Sequence, residues 1–528
     1  MIAKSTISQT TLTRLGLLLL LLFAFAWRSY RLDFQSLWRD EVDAIRFSSE
    51  PFLSFASFEG LTAGLTRPGH NGPLYFVWLR GWRWLTGDSE FALRYFSVVA
   101  GVLLVALIYQ VARRLALGRA AALLAALLAA TSPYLLWYSQ EAKMYTWLAG
   151  LVLLAIYAFQ SAMLARRPGR WWALFVLATS LSFYIHILSP LMLVVYGLWG
   201  PLQPARWRRR WRGWLLSLGA LTVPYLPLLL WQAPLLLEDF NSGHPFYPFS
   251  EQMSLLLHLY SVGILRVEWS LMAIVLTLFL ALVGLFGRRE GAGPRWRVGL
   301  WLAAPPLLVY LISLREPVFE DRYLIYILPA YYLLLAVGLV IVARYERWLA
   351  AALLLILVGL NLWSGWRQTA GPIKADFRGA VQAVEAMAAT VPTGCGRDPA
   401  PAVMFQMPYL QHTYAYYAQQ PFRPLEGIWS NDNRDPAAVA FELTQRTEGV
   451  QQLWLVLSEE DQWDRRQLTR QWLNEQAHLI DQAQFLNVEV YQYTFSSPLA
   501  TPAAVAASAN EPAKYTVYLP LLLCRWGG

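Results

Sequence analysis

The sequence predicts an α-helical polytopic membrane protein carrying a small C-terminal extracytoplasmic α/β domain, and three observations predict it. Hydrophobic residues make up 57% of the 528 and charged residues only 15%, with a mean hydropathy of +0.37; one water-soluble core cannot hide that surplus. Apolar runs of about 20 residues, the length a bilayer demands, recur along the first 365 positions. After Gly371-Pro372 the runs stop and a soluble composition takes over. A cytosolic enzyme of this length is excluded. So is a disordered chain, because 25 Trp, 27 Tyr and 25 Phe supply far more burial than disorder permits. The net charge of +9 implies no nucleic-acid partner, since the arginines cluster between apolar runs, where membrane topology needs them. Cys395 and Cys524 are too few for a disulfide framework or a zinc site.

Taken in order, the spans fall near 11–30, 91–112, 120–137, 144–164, 171–186, 187–203, 213–232, 269–287, 298–314, 323–343 and 348–365, eleven in all, with a further interfacial stretch at 252–264. Arginines orient them. Arg113, Arg114 and Arg119, then Arg166, Arg167 and Arg170, then Arg206, Arg208, Arg209, Arg210 and Arg212, then Arg288, Arg289, Arg295 and Arg297, then Arg344 and Arg347 fall in alternate loops, which are therefore cytoplasmic. The other loops, including 31–90, and everything after 366 lie outside. Ala24-Phe25-Ala26 after the first apolar run also reads as a signal-peptide cleavage site, whereas Trp27, Tyr30 and Arg31 read as an interfacial anchor; loop topology is the same either way.

Three domains follow: 1–365 in the membrane, 371–495 a soluble α/β domain, and 496–528 a low-complexity linker with a short apolar tail. Within the second, Asp376–Thr390 has helical periodicity, Ala402–Phe405, Gln452–Leu457 and Val488–Phe495 read as strands, and Asp461–Ala477 reads as an amphipathic helix.

Four charged blocks interrupt the apolar text. Arg39-Asp40-Glu41 follows the first span; adjacent acids repel, so a partly desolvated pair divides into one carboxyl of raised pKa and one held ionised by a cation such as Arg39. The structural alternative is a helix N-terminus capped by Asp40. His70-Asn71-Gly72-Pro73-Leu74-Tyr75 sets a turn that offers a histidine donor, or simply a solvated loop histidine. The short outer loop Ser139-Gln140-Glu141-Ala142-Lys143-Met144-Tyr145 puts an acid and a cation two residues apart; Glu141 and Tyr145 lie one helical turn apart while Lys143 points elsewhere, and a salt bridge to another loop is the alternative. Arg322, in Glu320-Asp321-Arg322-Tyr323, sits where an outer loop meets a span, as a snorkelling arginine also would.

In that order, together with Gly87-Asp88-Ser89-Glu90-Phe91-Ala92-Leu93-Arg94 and Pro329, these blocks resemble the GT-C glycosyltransferases. The likeness is to the family 39 class, with its protein O-mannosyltransferases and lipid A aminoarabinose transferases, and it covers about residues 15–365. The resemblance implies a GT-C fold and an enzyme of the cell envelope, a hexosyl- or pentosyltransferase. It would move a sugar from a polyprenyl-phosphate carrier to a lipid, glycan or protein acceptor on the outer face of the plasma membrane. It implies Asp40 as the base that deprotonates the acceptor, with Glu41 assisting; His70, Glu141 and Tyr145 at the acceptor or sugar; and Lys143 and Arg322 on the lipid phosphate. Relatives more often carry Arg where Lys143 stands, which replaces a forked grip by a point charge. The outer loops hold no Asp-x-Asp pair or His/Cys cluster, so no metal and no cofactor is expected. A transporter or a lipid or oligosaccharide flippase is the competing reading, and a scaffold displaying the C-terminal domain a third. A transporter would bury ionisable groups at mid-membrane beside paired broken helices, whereas the charges here crowd the outer loops.

Overall fold

The computed structural model describes residues 9–49, 72–237, 244–287, 293–389 and 400–496. They form two compact units: one holds the chain through Leu32 and Phe47–Gly371, the other Asp33–Arg46 and the chain from Pro372 through the last strand. The linker and tail expected at 496–528 lie beyond Ser496, outside the described residues.

The first unit is a multi-pass membrane bundle. Among the described residues six helices are long and apolar enough to cross a bilayer, or seven if the bent pair Arg119–Thr131 and Pro133–Ser139 is one span. The helix Leu328–Tyr345 is the centre of the bundle, its span 89% buried, while Gln9–Ser29, 6% buried, turns its leucines outward as a lipid-facing helix does. Glycines set one close crossing. A Cβ on Gly284 would lie 2.0 Å from the Leu334 carbonyl and one on Gly338 2.2 Å from the Leu280 carbonyl, so Ser270–Phe286 and Leu328–Tyr345 touch backbone to backbone. The segment expected to span at 187–203 contains a 3-10 turn, Ser189–Leu191, and the seven-residue helix Met192–Leu198, at about 1.5 Å per residue too short to cross.

A 57° bend at Ser132-Pro133 shapes the region around the candidate site. Proline has no N–H and its ring drives the preceding residue out of the helical region, so Ser132 adopts φ −57° and ψ 121° and the helix stops. The carbonyls this leaves at Ala129 and Ala130 are taken by the buried guanidinium of Arg28 at 2.9 and 3.1 Å. The Ser132 hydroxyl then starts the next helix by accepting the Leu135 N–H at 3.1 Å.

The second unit is a three-layer α/β/α domain. Its sheet runs β2-β1-β3-β5-β4, with β1 (Ala402–Phe405) parallel to β2 (Arg423–Glu426) and β3 (Gln452–Leu457), and β5 (Val488–Thr494) antiparallel to β3 and β4 (His478–Phe485). Period-2 alternation supplies both faces. Leu453, Leu455 and Leu457 pack with Val439, Leu443 and Trp472 on one side, while Trp454 and Val456 pack with Phe377, Val381 and Leu410 on the other. The helix expected over 461–477 is two, Glu460–Trp463 and Leu468–Gln476, because the buried Asp464 carboxylate accepts the N–H groups of Leu468 and Thr469 and opens a new helix there.

Candidate active site

The expected site residues divide between the two units. In the second, the Trp38 carbonyl accepts the N–H groups of Glu41 and Val42 at 3.0 and 3.2 Å and opens the helix Arg39–Ser49, placing Asp40 and Glu41 in a first turn whose dipole favours carboxylates. Arg39 and Asp40 are buried and Glu41 is fully enclosed. Lys374 donates its ammonium proton to Glu41 Oε2 at 2.9 Å. Arg39 lies 3.8 Å from Asp40 Oδ1, 3.4 Å from Glu459 Oε2 and 3.2 Å from Met407 Sδ. A lace of hydrogen bonds keeps Lys374 in place. Gln35 Oε1 accepts the N–H groups of Ile373 and Lys374, both at 2.9 Å, Ser36 donates to the Ala375 carbonyl at 2.6 Å, and the Tyr417 hydroxyl accepts the Leu37 N–H at 2.5 Å. Glu41 accepts from an ammonium at hydrogen-bond distance, and the Arg39 guanidinium stands at ion-pair range from Asp40.

In the membrane unit the helix Pro133–Ser139 delivers the chain into a tight turn in which the Lys143 N–H reaches the Glu141 carbonyl at 2.8 Å. Gln140 ties the turn to the end of the first helix by donating to the Arg28 and Tyr30 carbonyls, both at 3.0 Å. Gly101 permits the approach of Ser139, because a Cβ there would lie 2.1 Å from its hydroxyl. Glu141, Lys143 and Tyr145 are all buried. The Lys143 backbone is pinned by the Ser97 hydroxyl, which donates to its carbonyl at 3.1 Å, and among the described residues its ammonium makes no ion pair although only 8% of the residue is exposed.

The 3-10 turn Asp321–Ile327 brings a second charged set into this unit. Asp321 Oδ2 accepts hydrogen bonds from the hydroxyls of Tyr134 at 2.8 Å and Tyr138 at 3.1 Å, which sit one turn apart on Pro133–Ser139. The Arg322 guanidinium stands 5.8 Å over the Tyr145 ring and 3.8 Å from Glu320 Oε2, whose other oxygen is 3.5 Å from His244 Nδ1. Tyr138 meets Tyr145 edge to face at 5.2 Å, closing a ring of contacts from Asp321 through both tyrosines to Arg322.

Two residues expected from the sequence, Tyr145 and Arg322, are therefore brought together. His70 lies outside the described residues; Gly72 of the same motif is pressed against the backbone of Tyr184, where a Cβ would come within 2.4 Å. Sequence reasoning missed Tyr134, Tyr138, Glu320 and Lys374 as parts of these centres. The four-residue spacing of Tyr134 and Tyr138 was a legible signal, whereas nothing local marked Lys374 as the partner of an acid 333 positions earlier. Among the described residues no group of three or more His, Cys, Asp or Glu is placed to hold a metal ion.

Residues 70–231, all within the membrane unit, match the family described as dolichyl-phosphate-mannose-protein mannosyltransferase. ArnT from Cupriavidus metallidurans, solved bound to undecaprenyl phosphate, superposes with a TM-score of 0.54 at 15% identity, over 95% of this chain and 100% of that one. The chain has the GT-C glycosyltransferase fold. The oligosaccharyltransferase of Archaeoglobus fulgidus, solved with zinc and sulfate, gives a TM-score of 0.51 at 14% identity over 84% of this chain and 68% of its own. The arabinofuranosyltransferase AftD from Mycobacteria gives 0.50 at 15% identity, over 94% of this chain and 40% of its own. No curated protein sequence matches the chain. The matched family segment contains Glu141, Lys143 and Tyr145; Asp40 and Arg322 fall outside it.

Proposed function

We propose that this GT-C protein transfers a sugar from a polyprenyl-phosphate carrier to a hydroxyl of a lipid, glycan or protein acceptor, on the outer face of the plasma membrane. The observation that carries the reading is a fold shared with ArnT, a protein solved with undecaprenyl phosphate, in a chain whose membrane unit buries Lys143 with no counter-charge among the described residues. A buried, unpaired ammonium is costly unless an anion completes it, and a lipid phosphate is an anion of suitable chemistry.

In this reading Asp40 takes the proton of the acceptor hydroxyl as its oxygen attacks the anomeric carbon. The bond from that carbon to the phosphate oxygen breaks, and polyprenyl phosphate leaves with the electron pair. The transition state is oxocarbenium-like, and charge grows on the leaving phosphate, where Lys143 and Arg322 stabilise it more than they stabilise the bound donor. Glu41, committed to Lys374, orients the turn that carries Asp40. Glu141, Tyr145 and His70 contact the sugar or the acceptor. The arginine-bearing loops face the cytoplasm, so the chain around Gly87 and the C-terminal domain face outward, and a reporter fused at Gly87 is expected to read outside. Lipid and glycan extracts of cells lacking the protein test the function. Accumulated polyprenyl-phosphate sugar or an unglycosylated product is expected; an unchanged envelope would overturn the proposal.

A further inference from the structure

A second charged cluster, built on the arginine-bearing segments of the membrane unit, plays no part in the reaction above. Arg297, near the start of the helix Gly293–Ser313, is 4% exposed. Its Nη1 donates to Gln160 Oε1 at 2.7 Å, and its carbonyl accepts the Trp199 indole N–H at 2.9 Å. No carboxylate answers the guanidinium among the described residues, and its Nε is buried without an acceptor. Gln160, fully buried, leaves its Nε2 unmet among the described residues. Among the described residues Arg206, of the same sign, bears on Arg297; it is exposed and donates to Gln203 Oε1 at 3.3 Å, and the Nε2 of the buried Gln203 is also unmet there.

The unmet atoms of these three side chains are all donors, so what would complete them is an acceptor, and two guanidiniums require it to be negative. Guanidinium forks match phosphate oxygens two at a time. Apolar surface follows at once on the helix that carries Arg206. After Arg208, Arg209, Arg210 and Arg212, the side chains of Trp211, Leu215 and Leu216 are 44, 52 and 76% exposed, a lipid-facing surface beside the cations. We propose that Arg297, Arg206, Gln160 and Gln203 form a binding site for the phosphate of an anionic phospholipid, its acyl chains lying along that apolar surface.

The test is thermal unfolding of the delipidated full-length protein in neutral detergent, with added phosphatidylglycerol, phosphatidylcholine or inorganic phosphate, alongside native mass spectrometry. Phosphatidylglycerol is expected to raise Tm and to appear as one retained lipid per chain, while phosphatidylcholine does neither. Arg297→Gln should abolish both signals. If that variant fails to fold, Arg206→Gln and Gln203→Leu carry the test, and each should weaken retention several-fold while Arg208→Gln leaves it unchanged. Equal effects of the two lipids, or equal losses from Arg206→Gln and Arg208→Gln, would overturn the site in favour of diffuse surface charge. Full stabilisation by inorganic phosphate alone, with nothing added by phosphatidylglycerol, would overturn the lipid as its ligand.

Discussion

In the second unit Glu41 is held by a formal counter-charge, the Lys374 ammonium at 2.9 Å, whereas in the membrane unit Asp321 is held by two neutral phenols, Tyr134 and Tyr138, at 2.8 and 3.1 Å. Both carboxylates are satisfied, but by different physics. An ion pair sealed from water fixes geometry strongly and leaves a large penalty if one member is lost. Two phenols donate to Asp321 Oδ2 without supplying a counter-charge, next to Arg322 in the chain. The first arrangement suits a residue whose task is to hold a turn. The second suits one that aims a neighbouring cation.

Breaking the ion pair should have the largest effect on stability. Lys374→Met removes the ammonium from the buried Glu41 carboxylate and should cost about 3–5 kcal/mol, seen as a large fall in Tm of the purified protein. The double variant Glu41→Gln with Lys374→Met should recover most of that loss. A single variant as stable as the parent would mean that the pair contributes no more than a surface bridge.

The phenol-held centre should respond less in stability and more in binding. Tyr134→Phe or Tyr138→Phe removes one of the two phenol hydrogen bonds to Asp321 Oδ2, worth about 0.5–3 kcal/mol. If Asp321 aims Arg322, each should raise the donor KM more than it lowers kcat; losses confined to Tm would reduce Asp321 to a packing role. The cations themselves sharpen the comparison at somewhat lower amplitude. Arg322→Lys loses the fork and should slow transfer about tenfold, a difference of about 1.4 kcal/mol, whereas Lys143→Arg should be tolerated or improved. The reverse ranking would exchange their roles.

The smallest effect is expected where a bridge is open to water. Arg83 binds Asp88 at 2.5 Å, yet the Asp88 side chain is 52% exposed, so Asp88→Asn should change stability by no more than about 0.5 kcal/mol. A loss comparable to that of Lys374→Met would erase the distinction between buried and exposed pairs on which the comparison rests.

The division of the chain into a membrane bundle and an α/β domain was legible because hydropathy and alternation are local signals. Leu453, Leu455 and Leu457 announce one sheet face and Trp454 and Val456 the other with no knowledge of their partners. The strands β2 and β4 were not legible, since both are edge strands whose exposed side chains need no apolar alternation. The spans were legible as runs, but the break at Ser132-Pro133 was hidden inside one of them, and with it the short helix that presents Tyr134 and Tyr138. Charged candidates stood out individually. Their partners did not, because Glu41 with Lys374 and Tyr138 with Asp321 are pairings across 333 and 183 positions, set by tertiary packing.

The central claim is that Asp40 takes the acceptor's proton while Lys143 holds the donor's phosphate. It is tested most directly by steady-state transfer from a purified polyprenyl-phosphate sugar, with donor concentration varied for the parent, Asp40→Asn, Glu41→Gln and Lys143→Ala. Asp40→Asn should lower kcat by about 10²–10⁴ with donor KM unchanged, as expected for loss of a general base; Glu41→Gln should lose less, and Lys143→Ala should raise donor KM and slow transfer. Near-parental kcat in Asp40→Asn, with unchanged donor dependence in Lys143→Ala, would contradict the account.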